Sequence, residues 1–303
     1  MTKRVVVLGG GTGTSSVLRS LKHFDVELTA IVSTADDGGS SGRLREEYGI
    51  IPVGDIRQCL LALSNISDVE KRAMEFRYDE GNLKGHAVGN IMLANFLRAA
   101  PNVMEAMRVA ENFLQVKGHV IPVTNEPIVL GIRRKSDGKE IIGEHVIDEA
   151  EIVGEWDAFF DPANPVVIHE AMAAIRDADA VILGPGSFYT SLLAVLVPEI
   201  CDAIRQSKAR CIFNVNLESS VRQNAEWTMM DFVRKIEKIL GRRFDTILVD
   251  ESLKEGEDDR IRRCDLISMV PVEKVRGDVV ERSMVRHDEE QLGGALWNII
   301  ATL

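Results

Sequence analysis

Twice in this chain a short apolar strand runs straight into a glycine loop and then into a helix, a unit that belongs to parallel α/β sheets. The first copy is Val5-Val-Val-Leu-Gly-Gly-Gly-Thr-Gly-Thr14, with four glycines within five residues. Its four consecutive apolar residues read as a strand buried on both faces. Gly9 to Gly13 let the backbone turn sharply and approach a ligand without Cβ contacts. Thr12 to His23, with Val17, Leu18 and Leu21 on one face, supplies a helix whose free amides and dipole favour an anion. The second copy is the strand Ala180 to Leu183, the loop Gly184-Pro-Gly-Ser187 and a helix from Tyr189 to Gln206. Candidate phosphate contacts are therefore Gly9, Gly10, Gly11, Thr12, Gly13 and Thr14 on one loop and Gly184, Pro185, Gly186, Ser187, Thr190 and Ser191 on the other. Two such loops in one sheet can clamp a pyrophosphate; the alternative is that the glycines only pack strand against helix. The dinucleotide spacing fails, because Thr14 and Ser16 stand where its third glycine belongs, and no Walker lysine follows before Lys22.

Alternation of strand and helix continues through the chain. Leu28 to Val32 forms a second strand, and Arg210 to Val215 and Thr246 to Val249, separated by a helix from Asp231 to Leu240, extend a doubly wound sheet. Two insertions interrupt it. A helical one, about 54–117, holds helices at Asp55 to Ser64, Asp68 to Tyr78, His86 to Ala99 and Asn102 to Gln115, the last with Asn102 as N-cap and Glu105 three residues on. A β-hairpin one, about 126–150, alternates Ile128, Leu130 and Ile132 against Ile141 around Ser136-Asp-Gly138. Val166 to Asp177 reads as a helix, Glu251 to Arg263 as a charged loop, and Asp288 to Leu303 as a closing helix with Leu292, Leu296 and Ile299 inward. With no repeat and no low-complexity linker, residues 1–303 are expected to form one domain with insertions.

A net charge of −11 argues against nucleic acid or an anionic membrane surface as the main partner, since phosphate contacts need a basic face. Cys59, Cys201, Cys211 and Cys264 make no C-x-x-C pair and no zinc spacing, so they are expected as reduced, mostly buried thiols of a cytoplasmic protein. No apolar run reaches the roughly 20 residues of a membrane span.

Three further segments carry candidate chemistry. Thr34-Ala-Asp-Asp-Gly-Gly-Ser-Ser-Gly-Arg-Leu-Arg45 follows the second strand, so Asp36, Asp37, Gly38, Gly39, Ser40 and Arg43 belong at the sheet's carboxyl edge. Asp36 and Asp37 are candidates for Mg²⁺ held through waters or for hydrogen bonds to sugar hydroxyls; the bland alternative is a solvated turn. Asp55 is equally an N-cap or a ligand contact, while Arg57 can aim a guanidinium at an oxyanion. In Gly85-His-Ala-Val-Gly-Asn90, His86 is a candidate general acid or phosphate ligand and Asn90 lies beside it, whereas the other five histidines are read as structural.

Taken together, Leu8-Gly-Gly-Gly-Thr-Gly13, the Thr34 to Arg45 segment, Gly54-Asp-Ile-Arg57, Gly85-His-x-x-Gly-Asn90 and Leu183-Gly-Pro-Gly-Ser-Phe-Tyr-Thr-Ser191 resemble the gluconeogenesis-factor branch of the 2-phospho-L-lactate transferase (CofD-like) superfamily. The resemblance covers nearly the whole chain. It implies a Rossmann-like three-layer α/β/α sandwich with a mostly parallel sheet, a cytoplasmic location and binding of a UDP-sugar such as UDP-N-acetylglucosamine. It also implies a part in envelope metabolism and cell shape on gluconeogenic carbon sources. One segment departs: where the family often has Thr-Gln-x-Gly-Glu-Thr, this chain has Asn216-Leu-Glu-Ser-Ser220, so that segment's contacts do not carry over by match. Two readings stand: a nucleotide-sugar binding regulator without turnover, and a Mg²⁺-dependent transferase of a phospholactate-type group, with Arg43 or Arg57 steadying phosphate charge. No tightly bound organic cofactor is expected, and a homo-oligomer is compatible with either.

Overall fold

The apolar run at the amino end occupies β1 (Lys3–Gly9), buried on both faces from Val5 onward. Val6 and Leu8 pack into one hydrophobic cluster and Val5 and Val7 into another, because successive side chains leave a strand on opposite faces. Both faces of the sheet must then be covered. The computed structural model describes residues 2–217, 227–253, 258–268, 272–276, 279–283 and 286–303, and shows how they are.

After β1 come α1 (Gly11–Leu21), β2 (Val26–Val32), α2 (Gly39–Tyr48), α3 (Gly54–Leu63), α4 (Asp68–Glu75), α5 (Val88–Ala99), α6 (Val103–Phe113) and β3 (His119–Pro122). The insertion that follows holds β4 (Val129–Arg134), β5 (Glu140–Ile142), α7 (Glu144–Glu149) and β6 (Trp156–Asp161) as an antiparallel sheet of order β5-β4-β6. Then α8 (His169–Asp177) and β7 (Ala180–Leu183) lead into one π-helical turn, Phe188–Leu192, followed by α9 (Pro198–Gln206) and β8 (Arg210–Asn214). The chain closes with α10 (Met229–Leu240), β9 (Thr246–Asp250), β10 (Ile261–Cys264) and α11 (Glu289–Ile300), with short ladders at 267–268/286–287 and 272–276/279–283.

The main sheet has the order β10-β9-β8-β7-β1-β2-β3, with every neighbouring pair parallel. Counted along the chain, its strands run 3-2-1-4-5-6-7, the doubly wound Rossmann order with one strand more. Helices α1, α3, α6 and α11 cover one face; α8, α9, α10 and the insertion cover the other, giving three layers, α/β/α. The α1–α11 contact is close enough to exclude a side chain at Gly293, where an added Cβ would strike the Ser20 carbonyl, and Arg19 Nε meets Glu289 Oε1 at 2.6 Å beside it. Among the described residues no helix is long and apolar enough to cross a membrane.

Four expectations change. Thr34 to Arg45 is not all loop: α2 starts at Gly39, since Arg43-Leu-Arg-Glu-Glu47 is helix-forming and Leu44 is buried. The helix read over Tyr189 to Gln206 is broken, because Pro198 cannot donate into a preceding turn and serves instead as the first residue of α9. Glu251 to Arg263 conceals the edge strand β10, which has only Ile261 buried and exposed Arg262 and Arg263, leaving no alternation to detect. In α11 the residue fully buried beside Leu292 and Leu296 is Ile300, with Ile299 partly buried.

Candidate functional site

Strand order reverses between β1 and β7, and open α/β sheets bind ligands in the crevice outside the carboxyl ends at such a point. Both glycine loops stand there, side by side. Gly184 N–H donates to the Leu8 carbonyl at 3.4 Å, and a Cβ on Gly10 would lie 3.6 Å from Ser191 Cα. At Gly13 the Pro185 carbonyl leaves no room for a side chain at all. Gly10 is the extended N-cap of α1, so the first amides of α1 open into the crevice. Across it Ser187 Oγ lies 2.5 Å from Thr190 Oγ1 and 3.1 Å from Ser191 Oγ, and Thr190 Oγ1 donates to Asp148 Oδ1 at 3.4 Å.

Asp55, in the first turn of α3, reaches across to α1 and accepts the Gly11 N–H. A Cβ on Gly10 would approach its Oδ2 to 2.9 Å. Beside it Thr12 Oγ1 donates to Gln58 Oε1 at 3.2 Å. Burial, reinforced by Asp36, pushes the Asp55 carboxyl up to about 7. Burial likewise raises Asp36 and, from α7, Glu144, the latter helped by the charges of Asp36, Asp55, Asp148 and Asp37. An acidic neck thus stands beside an anion-receptive helix end. Glu144, Asp148 and Gln58 escape sequence reading because only the tertiary fold brings the insertion and α3 to the first loop.

The paired aspartates divide their roles. Asp36 Oδ1 accepts the Gly38 N–H at 2.9 Å, whereas Asp37 uses both oxygens as the cap of α7, accepting Glu144 N–H at 3.2 Å and His145 N–H at 2.8 Å. Asp37 therefore pins the insertion to the Thr34–Arg45 segment. Among the described residues no three His, Cys, Asp or Glu side chains form a group that could hold a metal ion.

A second cluster gathers on the other side of α3. Ser40 Oγ, in the first turn of α2, lies 3.0 Å from His86 Nδ1 and accepts from Asn90 Nδ2 at 3.0 Å. Arg43 and Arg77 donate to the Lys84 and Gly85 carbonyls at 2.8 and 3.0 Å, tying down the turn that carries His86. Burial and then the Arg43 charge hold His86 below its ordinary value. Arg57 packs its stem against α5. Residues two apart on a helix face nearly opposite ways, so Asp55 looks to α1 while the Arg57 stem packs on Gly89 of α5. Several buried atoms in these regions have no hydrogen-bond partner among the described residues: Thr14 Oγ1, Arg57 Nε and Nη1, Asn90 Oδ1, and both amide atoms of Asn214 at the end of β8. Of the divergent segment, Asn216 and Leu217 are described; Glu218, Ser219 and Ser220 lie outside the described residues.

Comparison with known proteins finds relatives over nearly the whole chain. The family model for the 2-phospho-L-lactate transferase CofD matches residues 5–288. The chain is 34% identical to the gluconeogenesis factor of Bacillus subtilis over 98% of this chain and 98% of that protein. It is 40% identical to the gluconeogenesis factor of Halalkalibacterium halodurans over 84% of this chain and 78% of that one. A crystal structure of a UPF0052-family protein from Bacillus halodurans aligns with a TM-score of 0.85 and 32% identity, covering 98% of this chain and 99% of that one.

Proposed function

The chain belongs to the 2-phospho-L-lactate transferase CofD family, and on that premise we propose that it is a gluconeogenesis factor that binds a nucleoside-diphosphate sugar, a UDP-sugar such as UDP-N-acetylglucosamine, between β1 and β7. The observation that carries this reading is the contact of the two glycine loops at the point where strand order reverses. The diphosphate lies across the α1 amides and the Ser187, Thr190 and Ser191 hydroxyls, and the Asp36–Asp37 segment faces the sugar or base. A divalent ion would enter on the ligand's phosphates, with Asp36 and Asp37 as the carboxylates nearest it in the segment after β2. The protein acts as a sensor of the nucleotide sugar in the cytoplasm, without turnover.

Calorimetric titration with UDP-N-acetylglucosamine, UDP-glucose, NAD and ATP tests this. UDP-sugars bind and raise the melting temperature; at about 100 times the dissociation constant the native state gains about 2.7 kcal/mol. Strong binding of NAD or ATP with none of a UDP-sugar refutes the ligand assignment, and a Mg²⁺-dependent product from the wild type refutes the absence of turnover.

A further inference from the structure

Helix α7 is tied to both sides of the crevice. At its start Asp37, in the segment after β2, accepts the Glu144 and His145 N–H groups at 3.2 and 2.8 Å. At its far end Asp148 accepts the hydroxyl of Thr190, in the turn after β7, at 3.4 Å. In the sheet β1 stands between β2 and β7, so α7 crosses the carboxyl end of β1, where the first glycine loop begins. Its length suits that span: six residues of helix rise about 9 Å, and two strand spacings come to about 10 Å.

What α7 carries across is acid. Glu144 joins Asp36 and Asp55 in the neck beside α1. Asp148 ends a row of hydroxyls: Ser187 Oγ lies 3.1 Å from Ser191 Oγ and 2.5 Å from Thr190 Oγ1, and Thr190 donates to Asp148. These three hydroxyls are the ones that the diphosphate meets in the proposed complex. Each has a single proton to give, so an anion at this loop competes with the Asp148 carboxylate for the Thr190 proton and is repelled by its charge. Asp55 stands in the same relation to α1, since it accepts the Gly11 N–H. The chain thus sets two carboxylates of its own on donors that a diphosphate would use.

The two ends of α7 are held differently. Gly143 N–H donates to the Leu130 carbonyl at 2.8 Å, and Ile147 is fully buried in the core, so the first turn is anchored. Residues 148–151, between the buried Ile147 and Ile152, include no buried side chain, and Glu149 and Glu151 are exposed. We propose that α7 is an autoinhibitory strap: an anion arriving at Ser187, Thr190 and Ser191 displaces Asp148 from Thr190 and releases the last turn of α7, while Asp37 and Ile147 hold the first. This inference rests on the nucleotide-sugar reading of the crevice and gives that sensor its response, a change in the insertion when the site fills.

The test compares wild type, Asp148→Asn and Asp148→Ala by calorimetric titration with UDP-glucose and with inorganic pyrophosphate, and by hydrogen exchange read by mass spectrometry. Asp148→Ala binds both probes about fivefold to tenfold more tightly than wild type, and Asp148→Asn, which keeps an oxygen for Thr190 without the charge, falls between. A residue that only supported the fold would weaken binding instead. In wild type, saturation with either probe slows exchange at 9–14 and 187–192 and speeds it at 148–151; in Asp148→Ala residues 148–151 exchange fast with no probe added. The proposal is overturned if neither variant binds more tightly than wild type, or if 148–151 exchange no faster while the two loops are protected. Loop protection by UDP-glucose without either response refutes the strap and leaves the nucleotide reading standing. Both responses with pyrophosphate, and no binding of UDP-glucose, refute the nucleotide reading and leave the strap. Binding of neither probe to any of the three proteins refutes both. If Asp148→Ala does not fold, Asp148→Asn and the wild-type exchange decide.

Discussion

Asp55 holds the amide that a bound phosphate would use, and the structure sets what that arrangement costs. A free aspartate titrates near 3.8, whereas burial and Asp36 bring Asp55 to about 7. Below 3.8 the group is protonated in both folded and unfolded chains and contributes nothing to the pH dependence of stability. Between there and about 7 the folded protein keeps a proton that the unfolded chain has released, so stability falls as pH rises. Above about 7 the whole penalty is present, about 4 kcal/mol at 1.36 kcal/mol per pH unit. Asp55→Asn keeps an oxygen to accept the Gly11 N–H and removes the charge. It should stabilise the protein by about 2–4 kcal/mol at pH 8, and by about 2 kcal/mol less at pH 5.5. At about 2 °C per kcal/mol for a chain of this size, that is about 4–8 °C at pH 8. Reversible thermal melts of both proteins from pH 5.5 to 8.5 measure it. A gain that does not change with pH, or a loss at pH 8, refutes the account of a buried and strained carboxylate.

Binding of UDP-glucose, whose phosphates do not titrate near neutrality, should tighten by up to about fivefold from pH 8 to pH 7, because an added anion makes the Asp55 proton harder to remove; in Asp55→Asn the calorimetric affinity should be flat. Burial lowers His287 from 6.5 to about 4, so stability is complete above 6.5 and lost as pH falls toward 4; His287→Gln should remove about 3 kcal/mol of that acid loss in denaturant melts, and an unchanged acid limb counts against it. Two adjacent glycines of α11 should respond oppositely: Gly293→Ala meets the Ser20 carbonyl and loses on the order of 2 kcal/mol, while Gly294→Ala meets nothing within 4 Å and gains about 0.5–1 kcal/mol, and equal effects would discredit the α1–α11 packing.

Short apolar runs made β1, β2, β7, β8 and β9 legible in the sequence, because a strand covered on both faces buries most of its side chains. At the sheet edge that requirement lapses, so β10, half arginine, could not be read. Glycine spacing likewise exposed both loops, since backbone approach is a local property. What stayed hidden is the partnership of side chains distant in sequence. Nothing near Glu144 shows that α7 returns to Asp37, and an aspartate and an arginine two residues apart read as one charged patch until α3 turns them apart.

That division by α3 explains how a chain of net charge −11 can hold a polyanionic ligand. The acids nearest the glycine loops, Asp36, Asp55 and Glu144, are those whose surroundings favour the protonated form, so their charge yields as a phosphate comes in. A protonated carboxyl then donates a hydrogen bond where a carboxylate would repel. Two residues on from Asp55, Arg57 keeps its charge, and its Nε and Nη1 have no hydrogen-bond partner among the described residues. Affinity for the diphosphate should therefore vary with pH through Asp55, and an affinity that stays flat across neutral pH refutes this account.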